Sequence, residues 1–182
     1  MKELSLNILD IAENSLKAGA SLTEISITEA GNLFTLKIKD NGCGMTDEVK
    51  KNVLNPFYTT RTTRKVGMGI PLLKLAAEQT GGSLTISSLT EEESPFSHGT
   101  TVRAEFYKDH LDFTPLGDVI STVTTLIQGH PDVDFLFLHT TERGEVKLDT
   151  RELRQMLEGI PLDSYEIIKW IEGYLKDQYD LI

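Results

Sequence analysis

Three groups of residues in this sequence have the types and spacing for chemistry. The first is Asp40-Asn41-Gly42-Cys43-Gly44-Met45, a carboxylate followed by two glycines. Glycines there remove Cβ atoms where the backbone must turn sharply or let a ligand come close, so Asp40 would face whatever approaches. An Asn-Gly turn with a helix cap behind it accounts for the hexapeptide equally well on its own. The second group is Asp10, Glu13, Asn14 and Lys17, polar residues that share one side of a helical stretch, with Asp10 and Asn14 one turn apart. A solvated polar face is the simpler account of those four. The third is Gly67-Met68-Gly69, placed just before a helical run and just after Arg61, Arg64 and Lys65. A helix N-terminus opened by glycines offers backbone N–H groups and a positive dipole end to an anion, and the three cations add local positive charge.

The elements that must position these groups are legible from periodicity. Residues 3–18 place Leu4, Ile8, Leu9, Ile11, Ala12 and Leu16 on one broad helical face, and Gly19 follows as a C-cap. Leu22–Glu29 and 33–39 alternate as strands, joined by Ala30-Gly31-Asn32 as a hairpin. Thr46 caps a short helix to about Leu54, with Asp47 and Glu48 in its first turn, and Pro56 stops it. Ile70–Gln79 is a helix with Pro71 in its first turn, and Ser83–Ser88 and Thr100–Tyr107 are strands. Further on, the pattern predicts a helix over Leu116–Ile127 and strands over Val133–His139 and Glu145–Leu148. Two capped helices follow, Arg151–Glu158 and Ser164–Gln178, the second opened by Asp163 with Glu166 three residues later.

Composition narrows the function classes. The 182 residues suit one sizeable core with a small appendix, and no apolar run approaches the ~20 residues that span a bilayer. The N-terminus carries Glu3 and helical periodicity in place of a basic, apolar leader. The single Cys43 makes no internal disulfide, which fits a reducing cytoplasm. Net charge is −10, with 12 Lys/Arg against 14 Asp/Glu up to residue 110 and 6 against 14 beyond it. Such a chain is a poor general binder of nucleic acid or anionic membrane.

Taken in order, these segments resemble the GHKL ATP-binding family, which includes sensor histidine kinases, DNA gyrase B subunits, heat-shock chaperones and MutL proteins. Asp10-Ile11-Ala12-Glu13-Asn14 through Ala20 resembles the N-box, and Asp40 to Met45 the first glycine box. Pro56-Phe57-Tyr58-Thr59-Thr60 resembles the F-box of histidine kinases, Gly67-Met68-Gly69 the second glycine box, and Gly99-Thr100 the terminal Gly-Thr strand. The likeness covers residues 3–107 and is nearest to the histidine kinase-like ATPase domain. It implies an α/β (α+β) fold, a two-layer sandwich of a mixed β-sheet and helices of the Bergerat type. Residues 1–109 would form the ATP-binding domain, and residues 110–182 an acidic α/β C-terminal extension.

The resemblance also implies the ligands: ATP or ADP, with Mg²⁺. Asp40 would accept from the adenine amino group, supported by Thr100, while Gly42 and Gly44 leave room for the base beside Met45. Asn14 would bind Mg²⁺, and Lys17 would lie near phosphate. Gly67, Met68 and Gly69 would present the second glycine box to the phosphates, with Phe57 and a lid over 59–66 in which Arg61 and Lys65 are the phosphate contacts.

Two departures bear on activity. ATP-hydrolysing members carry a glutamate four residues before the N-box asparagine. This sequence has Asp10 there, one methylene shorter, with Glu13 immediately before Asn14. Asp10 lies about 40° from Asn14 round the helix and Glu13 about 100°, so Asp10 is the nearer candidate base and Glu13 the alternative. A water-mediated or metal-hydration role for Asp10 stands level with base catalysis. The sequence also opens at the N-box, where an ordinary sensor kinase has a dimerisation segment bearing its phospho-accepting histidine. Neither His98, His110, His130 nor His139 occupies such a place. The expectation is a cytoplasmic signalling ATPase or kinase acting in trans on a protein partner, or else a non-catalytic nucleotide-dependent binding module. The wording Glu13-Asn14-Ser15-Leu16-Lys17-Ala18-Gly19-Ala20 is also similar to MutL, but length, lid wording and charge set that reading aside.

Overall fold

Alternating strands supply the framework. In the computed structural model, which describes residues 3–55 and 68–182, six strands form one mixed sheet. They are β1 (Leu22–Ala30), β2 (Leu33–Asp40), β3 (Ser83–Leu89), β4 (Gly99–Tyr107), β5 (Asp134–Thr140) and β6 (Glu145–Asp149), in the order β3-β4-β2-β1-β5-β6. The β1–β2 hairpin turns at Gly31, pairing Ala30 with Leu33 and Thr23 with Asp40. β4 runs antiparallel to β2 and β3. β5 lies parallel to β1 and antiparallel to β6, so residues beyond 110 widen the same sheet.

One face of the sheet is apolar because every second residue is. Ile25 and Ile27 of β1, Phe34, Leu36 and Ile38 of β2, Val102, Ala104 and Phe106 of β4, and Phe135 and Phe137 of β5 are all buried. Helices α1 (Leu4–Lys17), α3 (Gly69–Gln79), α4 (Val119–Gly129) and α6 (Tyr165–Tyr179) form the layer over it, with α1 touching both α3 and α4, and α4 touching α6. The short α2 (Asp47–Asn52) starts from Thr46, whose hydroxyl accepts from Val49 N–H, and α5 (Thr150–Leu157) starts from Asp149, whose carboxylate accepts from Arg151 N–H. Gln178 of α6 closes the free edge of β6. Its side-chain amide accepts from Lys147 N–H at 2.9 Å and donates to Lys147 C=O at 3.1 Å, occupying groups that an edge strand otherwise exposes.

Two helix starts differ from the periodicity. α4 begins at Val119, after Asp118, whose carboxylate accepts from both the Ser121 N–H and its hydroxyl. Leu116, expected to open the helix, instead accepts a hydrogen bond from Ser5 N–H, and Pro115 before it accepts from Leu4 N–H, supplying partners for the start of α1. α6 is capped from Ser164 with no side-chain bond, so the Asp163–Glu166 capping box does not form.

Candidate functional site

Asp40 is where the sheet, α1 and the glycine loop meet. Along β2 the inward positions are Phe34, Leu36, Ile38 and then Asp40, so the pattern that builds the core drives a carboxylate into its rim, 8% exposed. Burial of a carboxylate demands partners. Ser15 of α1 donates its hydroxyl to Oδ2 at 2.7 Å, and Oδ1 accepts from Gly42 N–H at 2.9 Å and Thr100 N–H at 3.2 Å. An ionised carboxylate offers about four acceptor positions. Among the described residues three of these are filled, by Ser15, Gly42 and Thr100.

The loop after Asp40 is fixed on both sides. Asn41 accepts from Ser21 N–H and Leu22 N–H, 2.9 Å each, and donates to Ser21 Oγ, while Cys43 N–H reaches Ala18 C=O at the end of α1. His98 Nδ1 lies 2.6 Å from Gly42 C=O, which can only accept, so that nitrogen carries the proton. A Cβ on Gly42 would stand 2.9 Å from Ala18, and one on Gly44, at φ +73°, would stand 1.9 Å from Leu89 C=O. Gly99 opens β4 at φ +128°, and its missing Cβ would fall 2.0 Å from Asp40 C=O. These glycines let three backbone segments close around one carboxylate.

A serine joins the third segment. Ser88 Oγ donates to Gly99 C=O at 3.0 Å and accepts from Met45 N–H at 2.7 Å. With its proton so used, the 2.9 Å contact to Thr100 Oγ1 is donated by the threonine.

α1 brings up the second group. Asp10 packs against the first turn of α3, where a Cβ on Gly69 would stand 3.0 Å from Asp10 Cβ and 3.6 Å from its Oδ2. Met68 is the N-cap of α3 and half exposed. Asn14 is half-buried one turn after Asp10. Glu13 turns the other way. Its Oε1 is 2.9 Å from His130 Nε2, at the end of α4, and its Oε2 is 3.7 Å from Lys17 Nζ. The structure thus brings Asp40, Gly42, Met45 and Thr100 into one network, packs Gly44 against Leu89 beside it, and sets Asp10 beside Gly69. Glu13 and Lys17 form a pair at the α4 side. Phe57, Arg61, Lys65, Gly67 and the rest of the lid lie outside the described residues.

Three residues of the network escape the periodicity: Ser15, Ser88 and His98. Two carry a signal. Ser15 follows Ile8, Ile11 and Ala12 on the buried stripe of α1, and Ser88 follows Leu84 and Ile86 on the inward side of β3, so each is a small polar residue in an apolar slot. His98 sits in a loop without period and carries none.

Among the described residues no helix is long and apolar enough to cross a membrane. Solved structures share the fold: the N-terminal domain of a DNA repair protein, at TM-score 0.60 and 18% identity over 82% of this chain and 53% of that one, and the Aquifex aeolicus MutL ATPase domain complexed with ADP, at TM-score 0.56 and 18% identity over 87% and 68%. Both matches cover more of the chain than residues 1–110, so part of the C-terminal portion shares the fold of these two structures. In sequence, sporulation kinase B of Bacillus subtilis is 27% identical over 110 residues, 59% of this chain. The MutL mismatch-repair protein of Bacillus licheniformis is 25% identical over an alignment of 190 residues, 84% of this chain. The MutL likeness set aside on sequence is therefore present, and at a greater extent than the kinase one. The chain spans only 24% and 29% of the length of these two curated relatives. A family model matches residues 2–110, and the chain belongs to the histidine kinase-, DNA gyrase B- and HSP90-like ATPase family.

Proposed function

We propose that this chain binds Mg-ATP and acts as a histidine kinase-like signalling ATPase or kinase, delivering the γ-phosphate in trans to a protein partner or to water. The observation that carries the nucleotide reading is the unfilled acceptor position of Asp40. A buried carboxylate with three donors among the described residues and capacity for a fourth fits the exocyclic amino group of adenine, and the ADP complex of the MutL fold neighbour supports an adenine nucleotide here. Thr100, whose hydroxyl is 2.9 Å from Ser88 Oγ and whose N–H donates to Asp40, is the second polar group for the base.

The donor set suits magnesium. Asn14 offers an amide oxygen and Asp10, one turn earlier, a carboxylate, and Mg²⁺ takes one or two protein oxygens while phosphates and water complete its shell. Bound there, Mg²⁺ would neutralise phosphate charge. Asp10, against the first turn of α3, is the candidate to orient or deprotonate an attacking water. Glu13 is the weaker candidate because His130 and Lys17 already hold its carboxylate. Phosphoryl transfer asks for little beyond positioning and charge neutralisation, so action on a separate acceptor needs no further catalytic group on this chain.

The shorter Asp10 favours a second reading, in which nucleotide occupancy changes affinity for the partner without turnover. The fate of γ-labelled ATP separates the two. Release of phosphate or transfer to a partner, lost in Asn14→Ala and Asp10→Asn, supports the catalytic reading. Tight binding with the label staying on ATP refutes it in favour of the module.

A further inference from the structure

The segment between β3 and β4 grips the glycine loop at both of its ends. Glu91 N–H reaches Cys43 C=O at 3.3 Å, and His98 Nδ1–H donates to Gly42 C=O at 2.6 Å. Between these points the segment is braced by its own bonds. Glu93 accepts from Thr90 N–H at 2.8 Å and from the Thr90 hydroxyl at 2.9 Å, and Ser94 N–H bonds back to Thr90 C=O. The Glu91 contact is longer than the usual N–H···O range and the His98 contact is not, so the histidine is the stronger hold. His98 is half-buried, and its Nε2 has no hydrogen-bond partner among the described residues, so one nitrogen carries the contact.

The place of His98 in the chain gives that hold its meaning. It immediately precedes Gly99 and Thr100, and Thr100 N–H is one of the two donors to Asp40 Oδ1. Gly42, whose carbonyl His98 holds, supplies the other donor through its own N–H. The imidazole therefore closes a ring that runs from Asp40 Oδ1 through Gly42, His98, Gly99 and Thr100 back to Oδ1. The pairing of β2 with β4 ends at Lys39 and Thr101, and Ser88 links the loop to Gly99 only further on, at Met45. At the level of Asp40 itself, His98 is what joins the two segments. With Oδ1 held by both N–H groups and Oδ2 by Ser15, the plane of the carboxylate is fixed.

We propose that His98 is a positioning residue of the base site. By holding the Gly42 carbonyl it aligns both N–H donors on Asp40 Oδ1, and so sets how selectively Asp40 accepts from an amino group on the base. This role rests on the adenine reading of Asp40 and adds the residue that tunes it. A hydrogen bond weakens steeply once misaligned, and an acceptor whose frame is already set needs no ordering when the ligand arrives.

Side-chain replacements test the contact atom by atom. The asparagine amide nitrogen is attached to Cγ, as Nδ1 of histidine is, whereas the glutamine amide stands one bond further out. The wild type, His98→Asn, His98→Gln and His98→Ala are titrated by calorimetry with ATP and with inosine triphosphate, which lacks the adenine amino group. His98→Ala and His98→Gln should weaken ATP about tenfold and inosine triphosphate about twofold at most, shrinking the preference for ATP about fivefold. His98→Asn should keep ATP within about threefold of the wild type. A prop serving the fold alone would instead weaken both nucleotides alike. Should His98→Ala fail to fold, the contrast between His98→Asn and His98→Gln still decides. Unchanged affinities in His98→Gln, equal losses for both nucleotides, or His98→Asn no better than His98→Gln would overturn the proposal and leave the nucleotide reading standing. Failure of the wild type to bind ATP would overturn both.

Discussion

The two ends of the sheet carry polar clusters of the same origin and opposite character. At one end Asp40 takes the inward slot that follows Phe34, Leu36 and Ile38. At the other, Glu29 follows Ile25 and Ile27 on β1, and His139 follows Phe135 and Phe137 on β5. Each is a polar side chain that an apolar alternation drives into the rim of the core. At the second end the groups satisfy one another. Lys108 Nζ donates to Glu29 Oε2 at 2.9 Å, and Glu29 Oε1 lies 3.1 Å from His139 Nε2. His139 Nδ1 lies 2.9 Å from the Tyr179 hydroxyl. An ionised Glu29 can only accept, so Nε2 carries the proton and Tyr179 donates to Nδ1. The chain is closed, and it ties α6 to the sheet although it borders a cleft of about 490 Å³. What separates a clasp from a candidate site is therefore a vacancy. Among the described residues Asp40 keeps an unused acceptor and is ringed by close-packed glycine backbone, whereas Gly31 near the second cluster has only open space beside it.

The strongest way to break this contrast is Gly99→Ala. Its φ of +128° is open almost only to glycine, and the new Cβ would overlap Asp40 C=O, so a loss of about 3 kcal/mol or more in unfolding free energy is expected, together with loss of nucleotide binding. Denaturant unfolding and calorimetry with ATP would show both. Tyr179→Phe attacks the clasp. It leaves the buried His139 Nδ1 without a donor, for about 1–2 kcal/mol of stability, while ATP affinity stays at the wild-type value. A fall in ATP affinity there would erase the distinction between the two ends.

Acid should loosen the clasp in order. Burial holds His139 below its ordinary 6.5, outweighing the pull of Glu29. Burial would raise Glu29, but Lys108 and His139 outweigh it and hold it below its ordinary 4.5. The folded state therefore favours neutral His139 and ionised Glu29. The His139 contribution is complete above 6.5 and is lost as pH falls below it, and that of Glu29 goes only below 4.5. A titration of thermal midpoint against pH should show the upper step in the wild type and not in His139→Gln. The smallest effect belongs to His130→Ala. It releases the half-exposed Glu13 at a cost of no more than about 1 kcal/mol, and ATP affinity should change less than about threefold.

Much of this contrast is legible in the amino-acid sequence, and for one reason. Strand alternation is local, so an acidic or imidazole residue in the next inward slot announces a polar rim. Asp40 stands out further because Gly42, Gly44 and Gly99 mark close backbone approach. The partners do not stand out, because contact across the helix layer has no local trace. Asp10 meets Gly69 through the crossing of α1 and α3, and Glu13 meets His130 across 117 residues of chain. The insertion of β5 parallel to β1 depends on α4 packing beside α1, and the acidity of the C-terminal part gives no hint of it.

The central claim is that the vacant acceptor of Asp40 reads the adenine amino group. Calorimetric affinities for ATP and inosine triphosphate, which bears a carbonyl oxygen in place of that amino group, test it most directly when compared between the wild type and Asp40→Asn. The wild type should prefer ATP by about 100-fold, since an acceptor facing a buried carboxylate is repelled and left unpaired, and the preference should collapse in Asp40→Asn. Equal affinity of the wild-type protein for the two nucleotides would contradict the account.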